Sequence, residues 1–172
     1  MILDIKKWPD PILRQKTETV VEFDEELEVL SRNMIETMRA ASGIGLAANQ
    51  VGDLRRIAVV EVPFVQGETL NAYHGVPIVL VNPKITESHL SILSNEGCLS
   101  LPDTYDTVRR YRSVVVEYQN LSGETKTIEA EGLMSMCLQH EIDHLDGKTL
   151  MERASRIKRD MMLRRLKKTG NL

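Results

Sequence analysis

The strongest constraint on this chain is the segment from Leu133 to Leu145, where apolar residues recur at helical spacing and Gly147 supplies the stop. Inside it lies His140-Glu141-Ile142-Asp143-His144. Residues four apart on a helix share a face, so both imidazoles can reach one cation. Glu141, beside His140, is close enough to handle the protons of a water activated there. The plainer alternative is two buried, hydrogen-bonded histidines next to a surface glutamate. That two of only four histidines bracket a glutamate at ligand spacing favours the metal. A catalytic ion of the zinc type takes three protein ligands and keeps one position open. The rest of the chain must therefore bring a third ligand to this helix face. Cys137 stands three residues before His140 on the same face; Cys98 stands in Asn95-Glu96-Gly97-Cys98-Leu99-Ser100. Three ligands from one helix would tend to leave the ion open to water on its far side, whereas a loop thiolate would close over it. Either cysteine could also be a small buried hydrophobe, so spacing alone leaves the choice open.

A chain of 172 residues fits one domain spanning 1–172, large enough to bury roughly two-thirds of its unfolded surface without disulfide staples. Aromatic residues are only 4% of the chain, so the core must be built from Leu, Ile, Val, Met and Ala. Two cysteines are too few for a small secreted scaffold. Met1 to Lys16 has no apolar run of signal length, and no stretch is apolar enough to span a membrane. A cytoplasmic location with reduced thiols is expected, with no membrane partner.

The pattern predicts an α+β fold. Asp24 to Ala41 reads as an amphipathic helix capped by Asp24, with Leu27, Leu30, Met34 and Met38 on one face. Ile57–Val62 and Val76–Val81 read as buried strands, the second bounded by Pro83. Residues 63–75 between them form an exposed loop with no assigned role. Val114–Tyr118 and Thr125–Glu131 flank a hairpin turn containing Gly123. A last helix is expected at about 155–168, docking through Ile157, Met161, Leu163 and Leu166.

Net charge is −3, which does not advertise DNA binding, and DNA is excluded as a partner. The charge is uneven, however. From Arg153 to Lys168 there are eight basic residues and one acid, so this segment carries +7 on an otherwise acidic protein. The bland reading is a solvated helix face; the sharper one is contact with RNA.

A third motif, Gly43-Ile44-Gly45-Leu46-Ala47-Ala48-Asn49-Gln50, contains two glycines that allow backbone to approach a ligand. Gln50 is a neutral donor suited to a developing oxyanion. The segment lacks the Gly-Lys-Ser/Thr ending of a phosphate loop, and a Gly-stopped helix followed by a turn explains it about as well.

Taken in order, Gly-Ile-Gly-Leu-Ala-Ala-Asn-Gln at 43–50, Glu-Gly-Cys-Leu-Ser at 96–100 and Gln-His-Glu-Ile-Asp-His at 139–144 resemble the three motifs of the peptide deformylase family. The opening Asp10-Pro11-Ile12-Leu13-Arg14 resembles its entry segment, so the likeness covers nearly the whole chain. The resemblance implies small antiparallel β-sheets packed around a central helix carrying the histidines. It implies a metal-dependent amidohydrolase that removes the N-formyl group from the formyl-methionine of new polypeptides and releases formate. Cys98, His140 and His144 are then the ligands of one divalent ion, Fe²⁺ in the native state, with Zn²⁺, Ni²⁺ or Co²⁺ able to replace it. Glu141 becomes the acid/base, with Gln50 and the Leu99 backbone N–H as oxyanion donors. Ile44, Gly45, Glu96, Gly97, Leu133, Met136 and Cys137 become the substrate pocket. The basic C-terminal helix is implied to contact the ribosome near the exit tunnel.

One position departs from the family. Many bacterial members carry Arg seven residues after the ligand cysteine, where this chain has Tyr105; Arg109 and Arg110 are the candidates to supply that charge. Two rival readings are a zincin-like metallopeptidase, which the Cys98 motif opposes, and a non-catalytic metal-containing protein that binds RNA or the ribosome. A structural metal would need a fourth ligand, and neither His74 nor His89 stands at motif spacing.

Overall fold

Five strands pair in sequence order, β1 (Gly45–Ala47), β2 (Ile57–Val60), β3 (Ile78–Cys98), β4 (Leu101–Gln119) and β5 (Thr125–Glu131), every neighbour antiparallel. The computed structural model describes residues 1–69 and 71–172; Leu70, within the expected 63–75 loop, lies outside them. Helices α1 (Glu25–Ala40), α2 (Gly132–Leu145), the single turn α3 (Leu150–Arg153) and α4 (Arg156–Lys168) complete the α+β architecture. Among the described residues, no helix is long and apolar enough to cross a membrane.

α1 forms where its caps predict. The Asp24 carboxylate accepts from the Leu27 N–H at 2.9 Å, and Glu25, Glu26 and Glu28 lie in the positive first turn. Its face of Leu27, Leu30, Met34 and Met38 packs against Leu46, Ile57, Val59 and Val81 of the sheet. α2 packs against a second cluster, where Met134, Cys137, Leu138 and Ile142 meet Val60, Leu80, Val116 and Ile128. The helix is interior enough that Gln139, Glu141, Asp143 and His144 are buried with its apolar residues. Fully burying each Leu- or Ile-sized side chain stabilises the fold by about 1.5–3 kcal/mol, so the sheet holds this helix firmly.

The start of α2 is held from outside. Glu131 at the N-cap makes no side-chain bond, and the first turn contains no acidic residue. Instead Glu68, from the 63–75 loop, accepts from the Leu133 N–H at 3.0 Å. Gly132 has φ +58, and a Cβ there would meet the Glu68 carboxylate at 2.3 Å. The loop therefore has a role that composition did not reveal.

β3 and β4 run far beyond the short strands expected at 76–81 and 114–118. Pro83 does not end β3. It falls at a register shift between Val81 and Lys84, with Asn82 at φ +51, where a missing N–H costs no ladder bond. Beyond it both strands form a ribbon, closed by a tight turn at Leu99 and Ser100 that carries Cys98 to the face of α2. The expected hairpin at 120–124 is present, with Gly123 in the left-handed conformation at φ +79.

α4 begins at the Ser155 cap as expected, but a different face docks. Met162 and Leu166 are buried against Leu101, Val108, Leu150 and Met151, with Leu163 at the margin. Ile157 and Met161 are exposed, because the apolar surface offered by β4 and α3 meets the 162/166 stripe, half a turn away.

Candidate active site

Three ligand-type atoms converge where β3 ends against α2. The sulfur of Cys98 and one ligand atom from each of His140 and His144 all lie within 4.8 Å of one another. Cys98 Sγ is 3.3 Å from His144 Nε2, which is 3.1 Å from His140 Nε2. One sulfur and two imidazole nitrogens form the donor set of a borderline-soft divalent ion, so these residues fit a metal. No fourth histidine, cysteine or carboxylate joins them among the described residues.

The surroundings orient these atoms towards one another. His140 Nδ1 contacts Glu96 Oε1 at 2.9 Å, which fixes the ring and leaves Nε2 for the ion. Burial, aided by the nearby positive charges of His140 and Arg110, holds His144 well below the ordinary histidine range, so it remains neutral. Burial works against ionising Glu96, but hydrogen bonds from His140 and Arg110 prevail and hold its carboxyl at about 2. Cys137 is the reverse. Burial, with Glu141 and Glu96 nearby, pushes its thiol well above the usual range, and its sulfur lies 3.5 Å from the Ile44 carbonyl oxygen. It is a wall residue in form, outside the cluster of converging donors.

Glu141 is buried beside the cluster, and burial pushes its carboxyl up to about 7, against the pull of His140 and Arg110. Its Oε2 is fully buried and free of hydrogen bonds. Gly45 makes room for it, since a Cβ at that position would sit 2.5 Å from Glu141 Oε1 and 2.9 Å from Cys137 Sγ. A carboxyl titrating near neutrality in a cleft suits proton transfer.

The cleft over these groups has a volume of about 660 Å³. Ile44, Gly45, Gln50, Glu96, Gly97, Cys98, Leu99, Leu133, Met136, Cys137, His140 and Glu141 all line it, so the sequence candidates other than His144 share one cavity. His144 lies behind it, against Cys98 and His140. Gln50 is locked in place: its Oε1 accepts from the Ala47 N–H at 3.0 Å and its Nε2 donates to Ser100 Oγ at 3.1 Å. That leaves the amide 3.8 Å from Cys98 Sγ, at the edge of the donor cluster.

The charge question raised by Tyr105 resolves onto Arg110. Arg110 forks onto Glu96 at 2.8 and 2.9 Å and reaches Asp143 with its third donor. Arg109 is turned outward to Ser91. Tyr105 lies over Gly97 at the rim of the cleft, where a Cβ on Gly97 would meet its ring at 2.7 Å. Sequence reasoning missed Ser100, Asp143 and Arg153. Ser100 and Asp143 lay within quoted motifs, Asp143 three residues after His140 on α2, whereas Arg153 carried no such signal.

The family described as polypeptide deformylase matches residues 2–160. A peptide deformylase of Thermodesulfovibrio yellowstonii is 47% identical over 167 residues, covering 96% of this chain and 97% of that protein. The crystal structure of a peptide deformylase from Legionella pneumophila superposes with a TM-score of 0.89 at 40% identity, covering 99% and 96% of the two chains. The Ehrlichia chaffeensis enzyme in complex with actinonin gives a TM-score of 0.90 at 38% identity, covering 99% of each.

Proposed function

The chain belongs to the polypeptide deformylase family, and from that premise we propose that Cys98, His140 and His144 hold one divalent metal ion while Glu141 moves the protons of the reaction. The enzyme removes the N-formyl group from the N-terminal formyl-methionine of newly synthesised proteins and releases formate. The observation that carries the residue assignment is the convergence of one sulfur and two imidazoles beside the buried carboxyl of Glu141.

When bound, the ion supplies a Lewis acid that lowers the pKa of water towards roughly 7 and polarises the formyl carbonyl. Glu141 accepts the proton of the attacking water at its free Oε2 and delivers it to the amine nitrogen as the C–N bond breaks. The formyl oxygen, as it gains charge, is met by the Gln50 side-chain amide and the Leu99 backbone N–H. Donors of this kind are worth about 3–4 kcal/mol each. Glu96 keeps His140 oriented. Ile44, Leu133, Met136 and Cys137 form an apolar wall that receives the unbranched methionine side chain, with Gly45 and Gly97 lining the same cleft. Fe²⁺ is the ion we assign, with Zn²⁺, Ni²⁺ or Co²⁺ as substitutes; a thiolate ligand favours softer ions and makes iron oxidation a hazard.

The cytoplasm is the assigned compartment, since nascent chains are the substrate. The exposed cations of α4 are assigned to ribosomal RNA near the exit tunnel. Lys158, Arg159 and Arg165 are committed to carbonyl oxygens of the protein itself, so Arg156, Arg164, Lys167 and Lys168 are left to bind phosphate. The deciding experiment is formate release from a formyl-Met peptide by anaerobically purified protein, with metal analysis of the same sample. Metal-replete protein that releases no formate refutes the assignment.

A further inference from the structure

Behind the ligand histidines runs a chain of alternating charges. Glu96 faces His140 Nδ1 through Oε1 at 2.9 Å, and both of its oxygens are gripped by the Arg110 fork at 2.8 and 2.9 Å. The remaining terminal nitrogen of Arg110 reaches Asp143 Oδ2. Asp143 is itself gripped by a second fork: Arg153 Nε donates to Oδ2 at 2.9 Å and Nη2 to Oδ1. The order from the outside is Arg153, Asp143, Arg110, Glu96, His140. Side-chain exposure falls from 42% at Arg153 to 11%, 3%, 10% and 12% inward.

We infer that Arg153 is a positioning residue for the ligand His140, acting through Asp143, Arg110 and Glu96. The argument is one of charge balance in a buried setting. With Arg153 present, two carboxylates face two guanidiniums. Without it, Asp143 and Glu96 compete for Arg110 alone, and a buried carboxylate without a full partner is costly. Arg110 then shifts towards Asp143, its fork onto Glu96 loosens, and the Glu96 contact that sets the His140 ring loosens with it. Partners behind a ligand histidine influence metal affinity by about 10–100-fold. Arg153 is the last residue of α3, two residues before the Ser155 cap of α4, so the start of the C-terminal helix is wired to the ligand set.

This rests on the metal assignment above, and the test separates the two. The full-length zinc-loaded protein is challenged with a chelator, and the His140 Nδ1–H resonance is followed by NMR. Arg153→Ala is expected to give up zinc about ten-fold more readily and to shift or broaden that resonance. Arg153→Lys keeps the charge without the fork and should fall between, which also covers the case where the alanine variant folds poorly. Arg55→Ala is the control: it removes an equivalent fork onto Asp53, outside the site, and should leave both readouts unchanged. A lower Tm in Arg153→Ala with native zinc retention and an unmoved resonance overturns the inference. If the parent protein itself does not retain zinc, the metal assignment fails, and the resonance in the metal-free protein still decides the role of Arg153.

Discussion

Gly45→Ala adds one methyl group where the structure leaves no space for it. The new Cβ would lie 2.5 Å from Glu141 Oε1, 2.9 Å from Glu141 Cδ and 2.9 Å from Cys137 Sγ, against an ordinary contact distance of 3.4 Å or more. Glu141 must therefore retreat by about 0.9 Å, although it is buried. A displacement of about 1 Å in a reacting group costs on the order of 10²-fold in rate, so kcat for a formyl-Met peptide should fall by about that factor. Overpacking should cost about 1–3 kcal/mol of stability, and the metal should remain, because no ligand is touched. The assay is formate release under saturating substrate, with thermal unfolding and metal content measured on the same sample. Gly45→Ala combined with Cys137→Ala relieves the sulfur contact but not the carboxylate one, so the loss should persist. Native kcat in the single variant, or full recovery in the double variant, refutes the claim that Gly45 exists to seat Glu141.

Four further outcomes are expected. Cys98→Ser, His140→Ala and His144→Ala should each lose most bound metal while Cys137→Ser keeps it, read by metal analysis after gel filtration; the opposite pattern for the two cysteines would invert the ligand assignment. Glu141→Gln should retain metal with kcat down by roughly 10²-fold or more, and near-native turnover would remove Glu141 from the reaction. Replacing Arg156, Arg164, Lys167 and Lys168 by Gln should weaken ribosome co-sedimentation and flatten its salt dependence without changing hydrolysis of a short formyl-Met peptide; unaltered binding across a salt series would reduce α4 to a solvated face. Leu166→Ala, at a side chain with no exposed surface, should cost about 2–5 kcal/mol in chemical denaturation, and a cost below 1 kcal/mol would contradict the docking described for α4.

The helices were legible in the sequence because their signals are local. Asp24 announced the start of α1, and the spacing of His140 and His144 announced both a helix and its chemistry. The hairpin around Gly123 was equally plain. The ribbon of β3 and β4 was not, for a physical reason: residues 84–91 are exposed on both faces, so alternation has no buried side to mark. The docking face of α4 was misread because Ile157 and Met161 are as apolar as Met162 and Leu166, and only the partner surface distinguishes them. Within the site, residue types and motifs named the side chains that the fold brings together, while their supports were hidden. Arg153 and Glu68 reach α2 from separate turns and loops, and no periodicity records a contact made by a single side chain.

Glu68 also bears on when the site comes into being. A helix of 14 residues without a cap of its own is marginal in water, and the start of α2 is completed by an acceptor 65 positions away in the chain. The four-residue step that aims two imidazoles at one point is thus a property of the closed fold, not of the segment that encodes it. An ion that recognises this spacing binds the native state and has little to hold in the unfolded chain. Occupancy and folding are therefore linked by mass action: each tenfold rise in free metal above its Kd adds about 1.4 kcal/mol to the stability of the enzyme, and metal scarcity lowers stability as well as turnover.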